Sequence, residues 1–187
     1  MINQNTKKNN HFKYAALYGF NTINDPEKRK KSLLRFCKDN KILGTFLIAY
    51  EGINGTISGL PKNIDRVVNF IKSWDEIIDL EVKYSISTQN GFYRMKVKVK
   101  KEIVTMGLPF IDPTNNKGKY VEADKWNEFI SKEDVIVIDT RNFYETSIGK
   151  FKGSIDPNTK TFRDFPKWVD EFTNNKVYKG KKIAMYC

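Results

Sequence analysis

The chain has 187 residues, 40% hydrophobic and 13% aromatic, enough for one large core or two small ones. No run nears the ~20 apolar residues of a membrane span, and two cysteines, Cys37 and Cys187, make no disulfide framework, so a reducing cytoplasm is the expected compartment. The net charge of +11 is uneven: residues 1–107 carry 19 Lys/Arg against 10 Asp/Glu, and residues 108–187 carry 14 against 12. A basic half beside a near-neutral half points to nucleic acid as partner of the first half. A soluble Lys-rich surface is the plainer alternative.

Residues 1–12 are polar and lack an apolar signal segment, so they read as a disordered lead-in. Lys13–Phe20 is a first strand. Asp25-Pro26-Glu27 then starts a helix: Asp25 can cap, Pro26 suits the first helical position and Glu27 complements its positive end. Leu33, Leu34, Phe36 and Cys37 form its apolar face. Cys37 has no histidine near it and reads as core packing.

Ile42–Tyr50 is an apolar strand. In the following Glu51–Gly59 segment, Asn54-Gly55 signals a hairpin turn between two strands. Its glycine spacing matches neither a P-loop nor a dinucleotide fingerprint. Leu60-Pro61 opens a second helix, with Ile64, Val67, Val68, Ile71 and Trp74 as one buried stripe. Leu80–Ser85 is another strand. The order strand, helix, strand, strand, helix, strand is that of the ferredoxin-like split βαβ unit.

Tyr93–Lys100 alternates with the two-residue period of a strand. Tyr93, Met95, Val97 and Val99 face one way, and Arg94, Lys96, Lys98 and Lys100 the other. Cations at every second position, roughly 6.6–6.8 Å apart, suit a phosphate backbone tracked by charge without base specificity. The competing reading is a solvated edge strand guarded by lysines against aggregation.

Residues 108–118, with Pro109, Pro113 and Gly118, read as a linker. The first domain therefore spans 13–107 and a second begins at 119. Val121–Ile130 reads as a helix with Trp126, Phe129 and Ile130 inward. Val135–Ile138 is a buried β-branched strand with Asp139-Thr140-Arg141 at its carboxyl end. Thr161–Phe172 is loop then helix, with Phe162, Phe165, Trp168, Val169 and Phe172 apolar. Ile183–Tyr186 is a second buried strand. Alternating strands and helices mean a parallel α/β sheet.

Chemistry-bearing residues are few. The single histidine, His11, sits in the lead-in, which argues against a Cys–His dyad and against a two-histidine iron site. No metal or cofactor fingerprint is present. The candidates are Cys187, at a strand end where α/β sheets present reactive groups, and the set Asp139, Arg141 and Glu145. Arg141 can stabilise a thiolate or an anionic substrate. The alternative is structural: Asp139 caps the next segment while Arg141 and Glu145 pair four residues apart.

Asp139-Thr140-Arg141 with Glu145, then Gly149-Lys150-Phe151-Lys152-Gly153-Ser154-Ile155, resembles the rhodanese signature. That signature is Asp-x-Arg with Glu four residues on, then Gly-His-Ile-x-Gly-Ala; Lys150 stands at its histidine. The Ile183–Cys187 segment matches the strand carrying the rhodanese cysteine. In the first half, Tyr50–Ser58, Tyr93–Lys100 and Glu102-Ile103-Val104 resemble the N-terminal domain of one family. It is the rhodanese-related tRNA uridine 5-hydroxylases (tRNA hydroxylation proteins), long catalogued as uncharacterised rhodanese-domain proteins, and the likeness runs from Lys13 to Cys187.

The resemblance implies a ferredoxin-like domain (α+β) followed by a rhodanese-like α/β domain. It implies 5-hydroxylation of the tRNA wobble uridine, with molecular oxygen as co-substrate, tRNA as partner and Cys187 as the essential thiol. Arg141 would stand beside that thiol, and Arg94, Lys96, Lys98 and Lys100 would bind tRNA. Family members continue past the cysteine with a Thr-Gly-Gly-Ile-Arg-Cys type loop and further segments. The chain is therefore expected to be a fragment, its rhodanese-like domain incomplete at the C-terminus, and inactive alone for want of the loop's N–H cradle. The rival readings are a thiosulfate-type sulfurtransferase, which leaves the basic half unexplained, and a non-catalytic RNA-binding protein. Oligomeric state is not legible.

Overall fold

The computed structural model describes residues 11–108, 111, 118–175 and 178–187. The expected lead-in over 1–12 and linker over 108–118 fall mostly outside these residues. The described residues form two compact units, the first holding residues 11–104 and 111 and the second residues 105–108 and those from 118 onward.

The first unit is an antiparallel sheet with two helices on one face. Its elements are β1 (Phe12–Phe20), α1 (Pro26–Asp39), β2 (Leu43–Ala49), β3 (Gly52–Gly59), α2 (Pro61–Lys72) and β4 (Glu81–Ser87). The order β4-β1-β3-β2 is the expected ferredoxin-like arrangement. A fifth strand, β5 (Met95–Val99), adds in parallel to β2 and makes the far edge.

α1 begins as the sequence indicates: the Asp25 side chain accepts from the Lys28 N–H at 2.9 Å, with Pro26 in the first turn. Leu33 and Cys37 are buried with Ile64, Val67, Val68 and Ile71 of α2 against Ala15, Leu17, Phe46, Ile53 and Ile57 of the sheet. Burial of residues this size stabilises by about 1.5–3 kcal/mol each, so this layer is the unit's core.

Two expectations fail here. Asn54-Gly55 is not a turn; both lie inside β3, and the hairpin turns at Tyr50-Glu51. A Cβ on Gly55 would sit 2.4 Å from Cδ1 of Phe46, so the glycine makes room for a core ring, while the Asn54 amide donates to the Ile103 carbonyl at 3.2 Å. Glu51 accepts from the Ile103 N–H at 2.7 Å. The Glu51–Gly55 motif and Ile103, far apart in sequence, are thus one clamp around the turn. The second correction is Tyr93, which precedes β5 and is wholly exposed rather than facing the core.

The second unit contains α3 (Ala123–Ile130), β6 (Val135–Asp139), α4 (Phe143–Thr146), α5 (Phe165–Thr173) and β7 (Lys182–Tyr186). β6 and β7 are parallel, as expected, and Ile155 bridges to Ile138 in the same sense. A 3-10 turn over Phe162–Asp164 leads into α5. Phe162, Phe165, Trp168, Phe172 and Tyr178 stack in succession, and Phe165 and Phe172 pack with Ile136 and Ile138. Trp126, Phe129 and Ile130 of α3 are half-buried, short of fully inward. β7 is not a buried strand either: Ile183 is 43% and Met185 51% exposed, while Ala184 is buried and Tyr186 half-buried. Among the described residues β7 pairs with β6 alone, so its outer edge and one face meet solvent.

Candidate functional site

The carboxyl ends of β6 and β7 lie level, Asp139 opposite Tyr186. Asp139 is completely buried and acts as the hub. Its Oδ1 accepts from the Arg141 backbone N–H at 3.1 Å and from Arg141 Nε at 3.0 Å. Its Oδ2 accepts from Arg141 Nη2 at 2.7 Å and from the Tyr186 hydroxyl at 2.5 Å. A buried carboxylate is costly unless fully paired, and this one has four donors. Burial pushes its pKa up, but the hydrogen bonds from Arg141 and Tyr186, with the Arg141 charge, outweigh that and hold it below the ordinary carboxylate range. The same pairing with Asp139 raises the pKa of Arg141.

The network extends outward. Arg141 Nη2 also donates to the Gly149 carbonyl at 2.7 Å. The Tyr186 hydroxyl accepts from the Phe151 N–H at 3.1 Å and lies 3.2 Å from the Ser154 hydroxyl. The Tyr186 ring packs edge-on against Phe151. The segment carrying Gly149, Phe151 and Ser154 is therefore fastened to both strand ends.

The Thr140 N–H and hydroxyl both donate to the Tyr186 carbonyl, at 3.0 and 2.9 Å. That carbonyl belongs to the peptide joining Tyr186 to Cys187. Cys187 is exposed and emerges beside the Thr140-Arg141 backbone. The structure thus brings Arg141 and Cys187 to adjacent strand ends. The Arg141–Glu145 pair of the structural alternative does not form: Glu145 accepts from the Asn142 N–H at 3.2 Å and closes a capping box at the start of α4, leaving Arg141 to Asp139.

Sequence reasoning missed Tyr186 and Ser154. The capping box was legible as Asn142-x-x-Glu145; Tyr186 became visible only through strand register. Cys37 is fully buried, as expected for core packing, and burial pushes its thiol up to about 12. Among the described residues no group of three or more His, Cys, Asp or Glu side chains is placed to hold a metal ion, and no helix is long and apolar enough to cross a membrane.

The four cations lie in the first unit. Lys96 and Lys98 alternate with core-facing Met95, Val97 and Val99, opposite Thr45 and Leu47 of β2. Arg94 and Lys100 flank the strand, their backbones tied to β2 by Gly44 N–H to the Arg94 carbonyl at 3.1 Å and Lys100 N–H to the Ile48 carbonyl at 2.8 Å. Arg94, Lys98 and Lys100 are exposed and Lys96 half-buried. Among the described residues none of the four has an ion-pair partner. They form an uncompensated cationic edge, set apart in sequence from the Asp139 network.

The fold thus defines a ferredoxin-like domain followed by an α/β unit with polar groups gathered at its strand ends. Residues 12–103 match the family described as UPF0176 acylphosphatase like domain. Curated relatives named tRNA uridine(34) hydroxylase are similar over nearly the whole chain, which bears out the resemblance read from the motifs. Those of Brucella anthropi and Acaryochloris marina are each 47% identical over 94% of this chain, covering 57% and 56% of their own lengths. That of Agrobacterium fabrum is 49% identical over 94% of this chain and 55% of its own length. The chain spans little more than half the length of these relatives.

Proposed function

We propose that this chain is the tRNA-docking and thiol-bearing part of a tRNA uridine 5-hydroxylase that converts C5–H of the wobble uridine to C5–OH. The observation that carries this reading is the identity of 47% over 94% of the chain to relatives named for that activity. In this reading the first unit receives tRNA on Arg94, Lys96, Lys98 and Lys100. The second unit is rhodanese-like and presents Cys187 as the reactive thiol beside Arg141, with molecular oxygen as co-substrate and the cytoplasm as compartment. The unpaired cationic edge supports the docking role, because uncompensated cations release phosphate counterions on binding. The level strand ends support the second role, since the strand that leads into Cys187 pairs with the one that leads into Arg141.

The test is nucleoside mass spectrometry of tRNA from cells with the gene intact, deleted, or carrying Cys187→Ala, in a background with no other route to the modification. Loss of 5-hydroxyuridine and its derivatives in both altered strains is the expected result. Unchanged nucleosides in the deletion strain would refute the hydroxylase reading. Loss on deletion alone would remove Cys187 from the chemistry.

A further inference from the structure

The docking role leaves open what form of RNA the cationic edge takes, and Tyr93 answers that. Its side chain is 101% exposed. Among the described residues it has no hydrogen-bond partner and no ring partner. Its backbone is nevertheless held on both sides. On one side, the Phe92 N–H donates to the Asn90 side chain at 3.1 Å, and Asn90 is itself bonded to Ser58 of β3 at 2.5 Å. The Gly91 N–H donates to the Tyr14 hydroxyl at 2.6 Å, and the Phe92 ring lies 6.0 Å from the Tyr14 ring. On the other side, the Arg94 carbonyl is tied to β2. A large aromatic ring therefore stands in solvent on a pinned backbone, at the head of the row Arg94, Lys96, Lys98 and Lys100.

A fixed aromatic costs little entropy to use in binding, since little is left to immobilise beyond two side-chain torsions. An aromatic surface next to a line of cations is the arrangement that holds unpaired nucleic acid: charge follows the phosphates and rings stack on bases. Duplex RNA keeps its bases stacked inside the helix and has no use for such a ring. Resting on the tRNA-docking reading, we infer that Tyr93 is a base-stacking platform and that this edge binds unpaired, loop-like RNA in preference to duplex.

The experiment measures binding of the chain to a short unpaired oligoribonucleotide of mixed sequence and to a blunt-ended duplex RNA of equal length, across a salt series. Expected is tighter binding of the unpaired probe. Tyr93→Ala weakens it roughly five- to hundredfold, the range for loss of one base–aromatic stack, with the salt dependence unchanged. Tyr93→Phe retains affinity, and the fluorescence of Tyr93→Trp is quenched by the unpaired probe. Lys96→Gln with Lys98→Gln flattens the salt dependence by a slope of about 1.4 for two lost single-strand phosphate contacts. If the duplex binds equally well or better and Tyr93→Ala changes nothing while the lysine variants still weaken binding, the stacking inference is overturned and the docking reading survives. If neither probe binds in a salt-dependent way and the lysine variants have no effect, the docking reading itself fails.

Discussion

Tyr186→Phe removes one oxygen atom from the centre of the second unit and leaves the ring. The ring contacts with Phe151 at 4.7 Å and Trp126 at 6.2 Å survive, so the change is confined to the hydroxyl. That hydroxyl gives the completely buried Asp139 carboxylate a 2.5 Å hydrogen bond. Bonds to a charged group contribute about 1.5–3 kcal/mol. The Phe151 N–H also loses its acceptor, but Phe151 is 43% exposed and water can replace it. The expected loss is therefore about 1.5–3 kcal/mol, read as roughly ten- to hundredfold faster amide exchange in β6 and β7. The effect has a pH signature. The Asp139 pKa is depressed in the folded chain, so its contribution is complete above the unfolded value near 3.9 and is lost as pH falls through the folded one. Without the Tyr186 donor the folded value moves back up towards the unfolded one, so the variant has less stability to lose to acid. The gap between the two proteins is thus full at neutral pH and closes in acid. Equal exchange in both proteins at neutral pH, or a gap that persists once Asp139 is protonated, would refute the reasoning.

The remaining predictions concern burial, backbone room and capping. Cys37, with its thiol pushed up to about 12, stays unlabelled by iodoacetamide at pH 8 in the folded chain while exposed Cys187 is alkylated, and it labels only in denaturant; mass spectrometry of labelled peptides decides. Gly55→Ala forces a methyl to within 2.4 Å of the Phe46 ring and 2.6 Å of the Thr45 carbonyl, costing about 1–3 kcal/mol by urea unfolding. Gly118→Ala, where among the described residues no atom lies within 4 Å of the added carbon, is near-neutral in the same assay. Asp25→Ala removes the acceptor for the Lys28 N–H and costs about 1 kcal/mol, measurable as earlier unfolding of α1.

The parts of the fold written in local patterns were legible in the sequence. The α1 start at Asp25-Pro26, the α2 stripe and the alternation of Met95–Val99 each depend on neighbours within a turn or a strand. The failures came where a distant residue decides. Asn54-Gly55 has the composition of a hairpin turn, but Gly55 is small because Phe46 of the paired strand packs over it. Tyr93 continues the alternation of β5 on paper. The chain does not enter the ladder until Met95, because Tyr14, 77 residues before Gly91, holds the preceding loop to the sheet.

The second unit shows the same division in a form that bears on function. Asp139 and Arg141 were visible as a motif, and spacing alone offered Glu145 as the partner of Arg141. Two local devices competed for Glu145, an i,i+4 ion pair and a capping box. The capping box prevails because Arg141 has a better partner: a carboxylate with no access to water cannot stay ionised unpaired, whereas half-buried Glu145 already accepts from the Asn142 backbone and side chain. That preference fixes the guanidinium in a two-pronged grip, Nε and Nη2 on one carboxylate. The same carboxylate holds the Tyr186 side chain, and Thr140 holds the Tyr186 carbonyl. One buried charge thus sets the positions of Arg141 and of the peptide that bears Cys187. It follows that Asp139→Asn, which keeps the shape but removes the charge, should loosen both together. Amide exchange at Arg141 and at Cys187 should rise by the same factor, and a rise at only one of them would show that the two strand ends are held independently.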